Sequence, residues 1–291
     1  GLGLHSTFFG PSKYAILPDH LKQNELLGAT ALIEASTFLA ILLGTTFGTL
    51  SVDGVSSGSM GAILLTFSAA LIGLIFSLYI PPAPPISPGK ITVHWNVWRS
   101  TRRLLKQVFK HQKILPVALT ISWFWLIGIV VLTKLPDYTN YLLRGDTSVF
   151  AFFLALFSIG IGVGSLTTNY FLAGEITLRY VPYAMALLSF FIGDLFWASP
   201  AEVANIPLRN GSQFFAELGN IRVALDLFFL AFSGGIFVVP LYTYLQVASI
   251  RGMRARTIAM NNICNALFMV AGTILVMILL YFKASIPQVF L

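Results

Sequence analysis

Charge and sulfur are what this sequence has least of. Of its 291 residues only 10% are charged, and Cys264 is the only cysteine. A single thiol excludes an internal disulfide and a cysteine-built metal centre. The histidines, His5, His20, His94 and His111, are scattered without metal-ligand spacing, so no metal or cofactor is expected. There is no glycine-rich phosphate loop with lysine, no His–Glu pair at zinc spacing and no nucleophile elbow. An acyltransferase of the His-then-four-then-Asp type is excluded too, because the position five after His5 is Gly10 and that after His20 is Glu25. An enzyme is therefore not expected. Strand-type alternation of polar and apolar residues is also missing, which argues against an outer-membrane barrel.

What is present is apolar. The hydrophobic share is 56%, with 25 Phe, and the mean hydropathy is +0.82. That balance predicts an all-α polytopic membrane protein. Continuous apolar runs place roughly eight spans. They are 1–18 (the second half of a helix), 24–50, 59–80, 114–136, 147–173, 178–199, 222–248 and 257–282. The polar segment 81–113 divides the chain into 1–80 and 114–291. The chain opens at Gly1 with no Met and no signal-peptide pattern, and it reads as a piece of a longer polypeptide.

The formal net charge is +7. Its distribution follows membrane topology, which removes the argument for nucleic acid as a partner. Lys90, Arg99, Arg102, Arg103, Lys106, Lys110 and Lys113 crowd the 81–113 loop, and Arg251, Arg254 and Arg256 the 249–256 turn. Span counting puts both on one side, with the turns near 19–25 and 174–179, and that side is predicted to be cytoplasmic. The opposite loops, 51–58, 137–146 and 200–221, are mixed or acidic. Trp95, Trp98, Leu105 and Phe109 share one helical face of the basic loop. This predicts an amphipathic helix on membrane lipid; a solvated linker between two bundles is the alternative.

Ionisable residues within spans are expensive, roughly 2.5–3.5 kcal/mol at a helix centre on insertion scales. Lys13 and Glu34 lie at similar distances on either side of a turn near 21–24, so an antiparallel hairpin brings them to one depth. The pair belongs either to a transport pathway or to an ion pair that locks two helices. Farther along, Asn261, Asn262 and Asn265 cluster in one span, Asn261 and Asn265 on one face, with Gln246 at matching depth on the helix before. These amides form either a headgroup-binding patch or interhelical glue. Asp194 and Asp226 are expected near the opposite membrane face as interfacial or loop-anchoring residues, and Lys134 as a snorkelling helix-end residue. Gly160, Gly164, Gly234 and Gly235 suggest close helix packing, and Pro240 a bend.

Aligning Pro11 with Pro240 brings Glu34 within a residue or so of Asn262. That is the trace a parallel internal repeat would leave, with the substrate between two bundles.

FFGPSKYAILPDHL…NELLGATALIEASTFLAILLGTTFG resembles the fourth and fifth helices of the lysophospholipid transporter branch of the major facilitator superfamily. DLFFLAFSGGIFVVPLYTYLQ and RARTIAMNNICNALFMV resemble its tenth and eleventh. The resemblance implies two six-helix bundles, with this chain holding the end of the fourth helix through the eleventh and lacking the first three and the twelfth. It implies movement of lysophospholipid from the outer to the inner leaflet of the bacterial cytoplasmic (inner) membrane for re-acylation. It also implies a possible fused or associated acyltransferase. Lys13 and Glu34 would fall in the polar part of the pathway. The apolar ISWFWLIGIVVLTKLP departs from members that carry an arginine there. A major facilitator exporter of drugs or another small solute, and a non-transporting scaffold for a fused acyltransferase, are the competing expectations.

Overall fold

A computed structural model describes residues 2–53, 58–83, 96–109, 112–200 and 207–291. Apolar runs without strand periodicity satisfy their backbone within each segment, and the described residues form helices joined by turns, with no named strand. The long helices are α1 (Leu2–Ala15), α3 (Leu26–Asp53), α4 (Gly58–Ser77), α6 (Ile114–Asp137), α7 (Thr147–Leu172), α8 (Val181–Ala198), α10 (Leu218–Ala248) and α11 (Arg254–Tyr281). Among the described residues, 7 helices are long and apolar enough to cross a membrane, and α1 is not one of them. The chain is a multi-pass membrane protein.

Three short helices were not anticipated from hydropathy: α2 (Leu17–His20), α9 (Gly211–Phe214) and α12 (Ile286–Phe290). Their signals are local. Asn210 with Gln213, and Ser285 with Gln288, each form a reciprocal capping box at a helix start. The helix expected over 1–18 divides, α1 ending at Ala15 and α2 carrying Pro18 in its first turn.

α10 is the centre of the bundle. It packs against α7, α8, α6 and α3, while α1 packs against α11. A Cβ on Gly164 would lie 2.0 Å from the Phe232 carbonyl oxygen, and one on Gly235 would lie 2.5 Å from that of Ile161. Only hydrogen fits at these positions, so α7 and α10 touch backbone to backbone. Their glycines are thus explained by packing, and α10 continues as helix through Pro240.

The two ends hold together differently. At the basic end the Arg254 guanidinium meets Asp19 at 3.0 Å, and Gly174 is pressed against the Asn24 carbonyl. The 19–25, 174–179 and 249–256 turns therefore share one end. At the other end, Asp146 N–H donates to the Arg209 carbonyl at 2.9 Å, and Arg209 N–H to that of Arg144 at 2.8 Å. Arg209 also pairs with Glu217 at 2.6 Å, and its guanidinium holds the Glu217 carboxyl below the usual carboxylate range. Lys134, expected to snorkel, pairs with Asp137 at 2.8 Å.

The basic-loop helix is α5 (Val97–Phe109). Trp98, Arg102, Arg103 and Lys106 are exposed, whereas Leu105 packs on the core. Trp95 and the Phe109 side chain, also assigned to its apolar face, lie outside the described residues.

Candidate functional site

The α1–α3 hairpin places Lys13, Tyr14 and Glu34 together. Glu34 is 2% exposed. Its Oε1 accepts the Tyr14 hydroxyl. Lys13 Nζ donates to Thr37 Oγ1 at 3.1 Å and stands 4.8 Å over the Tyr14 ring. The hairpin thus forms as expected, but the direct Lys13–Glu34 ion pair does not appear among the ion pairs of the described residues. The reason is local. Tyr14 follows Lys13 on α1 and its hydroxyl reaches the carboxyl. Thr37, three residues past Glu34 on α3, takes the ammonium.

The second hairpin completes the cluster. The Tyr14 and Tyr242 rings stack with centroids 5.0 Å apart and planes 2° from parallel. The Tyr242 hydroxyl accepts from Trp125 Nε1 at 2.9 Å and from Asn265 Nδ2 at 3.4 Å. Asn265 Oδ1 accepts from Ser122 Oγ at 2.9 Å. Gln246 Nε2 donates to Thr30 Oγ1 at 3.0 Å, one turn before Glu34. Asn261 is fully buried beside the Tyr242 hydroxyl, with neither amide atom at full hydrogen-bonding geometry; Gln246 Oε1 is unpartnered. An unmet buried polar group costs roughly 1–3 kcal/mol. Asn262 lies half-buried against α1, its amide 3.4 Å from where a Gly10 Cβ would sit.

The structure therefore gathers Lys13, Glu34, Gln246 and Asn265 into one connected centre. Asn261 lies on the Asn265 face and Asn262 is turned to α1. Asn265 and Gln246 already serve as links between helices, while Asn261 faces the Tyr242 hydroxyl. Sequence reasoning missed Tyr14, Thr30, Thr37, Ser122, Trp125 and Tyr242. Each is a hydroxyl or indole inside an apolar, aromatic-rich run, where hydropathy treats it as filler.

An apolar cavity adjoins this centre. It is narrow, with a cavity volume of about 60 Å³. Phe38, Phe124, Phe157, Leu230 and Met269 are among its walls. Trp125 belongs to both regions. Its ring lines the cavity beside Phe38, centroids 6.5 Å apart, and its N–H reaches Tyr242 in the polar cluster. A polar cluster and an apolar cavity thus share one wall.

No family model matches the chain. Curated relatives do. It is 26% identical over 267 residues to the lysophospholipid transporter LplT of Escherichia coli O157:H7 (strain EC4115 / EHEC). The same figures hold for the protein of that name from Shigella boydii serotype 4 (strain Sb227). The chain is distantly similar to lysophospholipid transporters. The match takes in 90% of this chain and 61% of each relative, so the chain spans less than two thirds of their length.

Asp194 and Asp226 lie apart from this centre, toward the other end of α10 and α8. Asp194 is bonded to Arg222. Asp226, expected at an interface, is 3% exposed.

Proposed function

We propose that the chain forms the substrate-handling core of a lysophospholipid transporter of major facilitator type in the bacterial inner membrane. It carries lysophospholipid from the outer to the inner leaflet for re-acylation by a fused or associated acyltransferase. The observation that supports this most is the shared wall at Trp125. A lysophospholipid has a charged headgroup and one acyl tail, and the buried polar cluster and the apolar cavity meet at that residue. Lys13 and Glu34 handle the headgroup, with Asn261, Asn262, Asn265 and Gln246 supplying uncharged hydrogen bonds. A sugar site would need a denser set of polar side chains than these helices carry.

In this reading 1–80 is the end of one bundle, 114–291 belongs to the other, and 81–113 is a cytoplasmic loop whose helix lies toward the lipid surface. Packing of α1 on α11 and of α3 on α10 supports it, because a twofold exchanging the hairpins turns one contact into the other.

The test is inward movement of labelled lysophosphatidylethanolamine in spheroplasts, using the intact protein in cells without their own uptake. Glu34→Gln at equal membrane expression is expected to lower the rate about tenfold or more, since hydrogen bonds to charged groups are worth roughly 1.5–3 kcal/mol. Uptake blocked by drugs but not by unlabelled lysolipid would favour a drug exporter and remove this proposal.

A further inference from the structure

Three charged residues meet on α8 and α10, away from the Tyr242 cluster. Arg222 and Asp226 are one turn apart on the same face of α10. Asp194 on α8 accepts from Arg222 Nε at 3.1 Å and also from its Nη2. That pair is charge-balanced. Asp226 is not. It is 3% exposed, and its Oδ2 has no hydrogen-bond donor in the protein. Two carboxyl groups thus stand beside one guanidinium, Asp194 bonded to it and Asp226 one turn along its helix, so one cation is left to balance two carboxylates. Like charges at close quarters are accommodated when one of the two carries a proton.

The surroundings offer no other compensation. Tyr138, after α6, faces Asp226, but its hydroxyl is engaged with Ser199 Oγ at 2.8 Å. Lys134 is held by Asp137. α7 has no Lys, Arg, Asp or Glu in its sequence. Among the ion pairs of the described residues, none joins α3 or α11 to this cluster.

We propose that Asp194 and Asp226 form a proton-binding site in which one proton is shared by the two carboxyl groups beside Arg222. With that proton the cluster is neutral. Without it a net negative charge is left inside the span, which is costly. The proton therefore stays while α8 and α10 are apposed and leaves when their separation lets water reach Asp226. This ties proton release to relative movement of the two helices, whatever solute the protein carries.

The test reads the proton directly. Infrared spectra of the intact protein in lipid nanodiscs, at neutral pH, without substrate and in a Glu34→Gln background that removes the other buried carboxyl, are expected to contain one protonated-carboxyl band that Asp226→Asn removes. Asp194→Asn is expected to remove it as well, because Arg222 is then free to pair with Asp226. If Asp226→Asn does not fold, the Asp194→Asn spectrum decides. A Glu34→Gln spectrum without the band, or a band that survives the Asp194 or Asp226 substitution, overturns the proposal. Since no lysolipid is present, the result is separate from the transport assay.

Discussion

Tyr14 carries more of the polar centre than its place in an aromatic-rich helix suggests. It supplies the hydroxyl to Glu34, the ring under Lys13 and the stacking face for Tyr242. Tyr14→Phe keeps both ring contacts and leaves the buried carboxyl without that donor. The expected cost is about 1–3 kcal/mol, read as a lower unfolding temperature of the intact protein in detergent. Trp125 allows a finer separation. Trp125→Phe preserves an aromatic wall for the cavity while removing the N–H to Tyr242. If the polar cluster and the cavity take two ends of one lipid, this variant loses lysolipid uptake while shorter-tailed and longer-tailed substrates fall by the same factor. A tail-length preference that shifts instead would place Trp125 in the tail site alone. That Lys13 and Glu34 would approach each other was legible from their spacing about a turn. Which partner each would take was not, because that depends on side-chain reach across the hairpin.

The helix pair α7–α10 is the element on which packing depends most closely. Gly164→Leu or Gly235→Val must push backbones apart, and overpacking costs typically about 1–3 kcal/mol or more. Loss of folded protein is expected, whereas Gly44→Ala should be silent because nothing lies within 4 Å of a Cβ there. Fluorescence-detected size exclusion of the variants measures both. α7 also depends on its start. Asp146 accepts from Ser148 N–H at 2.9 Å and Val149 N–H at 3.3 Å. Asp146→Ala is expected to destabilise by about 0.5–2 kcal/mol. The Ser148 hydroxyl, with those backbone N–H groups, holds the Asp146 carboxyl below the usual carboxylate range. A lowered value in the fold means a contribution fully present above the ordinary carboxylate pKa and lost as pH falls through the lowered one. The gap in unfolding temperature between wild type and Asp146→Ala should therefore close on acidification through that window. The glycine pattern was readable as close packing, but not which helix each glycine would meet.

At the scale of the whole molecule, the two hairpins are tied at the basic end by Asp19 and Arg254, with Arg251 at 4.0 Å from the same carboxylate. Two cations on one carboxylate make Asp19 the residue whose removal breaks the tie, since either arginine can substitute for the other. Cys264, the sole cysteine, is 4% exposed on the face of α11 near Asn261. Asp19→Asn is expected to speed maleimide labelling of Cys264 several-fold in membranes, and Arg254→Ala alone to do so less. Equal labelling in all three proteins would mean that the pair does not hold this end closed.

Composition and hydropathy by themselves determined the fold class, seven of the eight expected spans to within a few residues and the grouping of turns at each end. Long apolar runs have no other way to satisfy their backbone in lipid, and loop charge follows the side of the membrane. The polar positions that attract notice, Lys13, Glu34 and the amides, were determined in the same way, because burying them is costly enough to mark them. Only the tertiary structure decided their partners. It replaced the expected ion pair by a tyrosine hydroxyl, brought Trp125 between the polar cluster and the apolar cavity, and buried Asp226 beside Asp194. Each of these rests on contacts between helices distant in sequence. Helical periodicity shows which face of a helix is turned inward, but not what stands across from it.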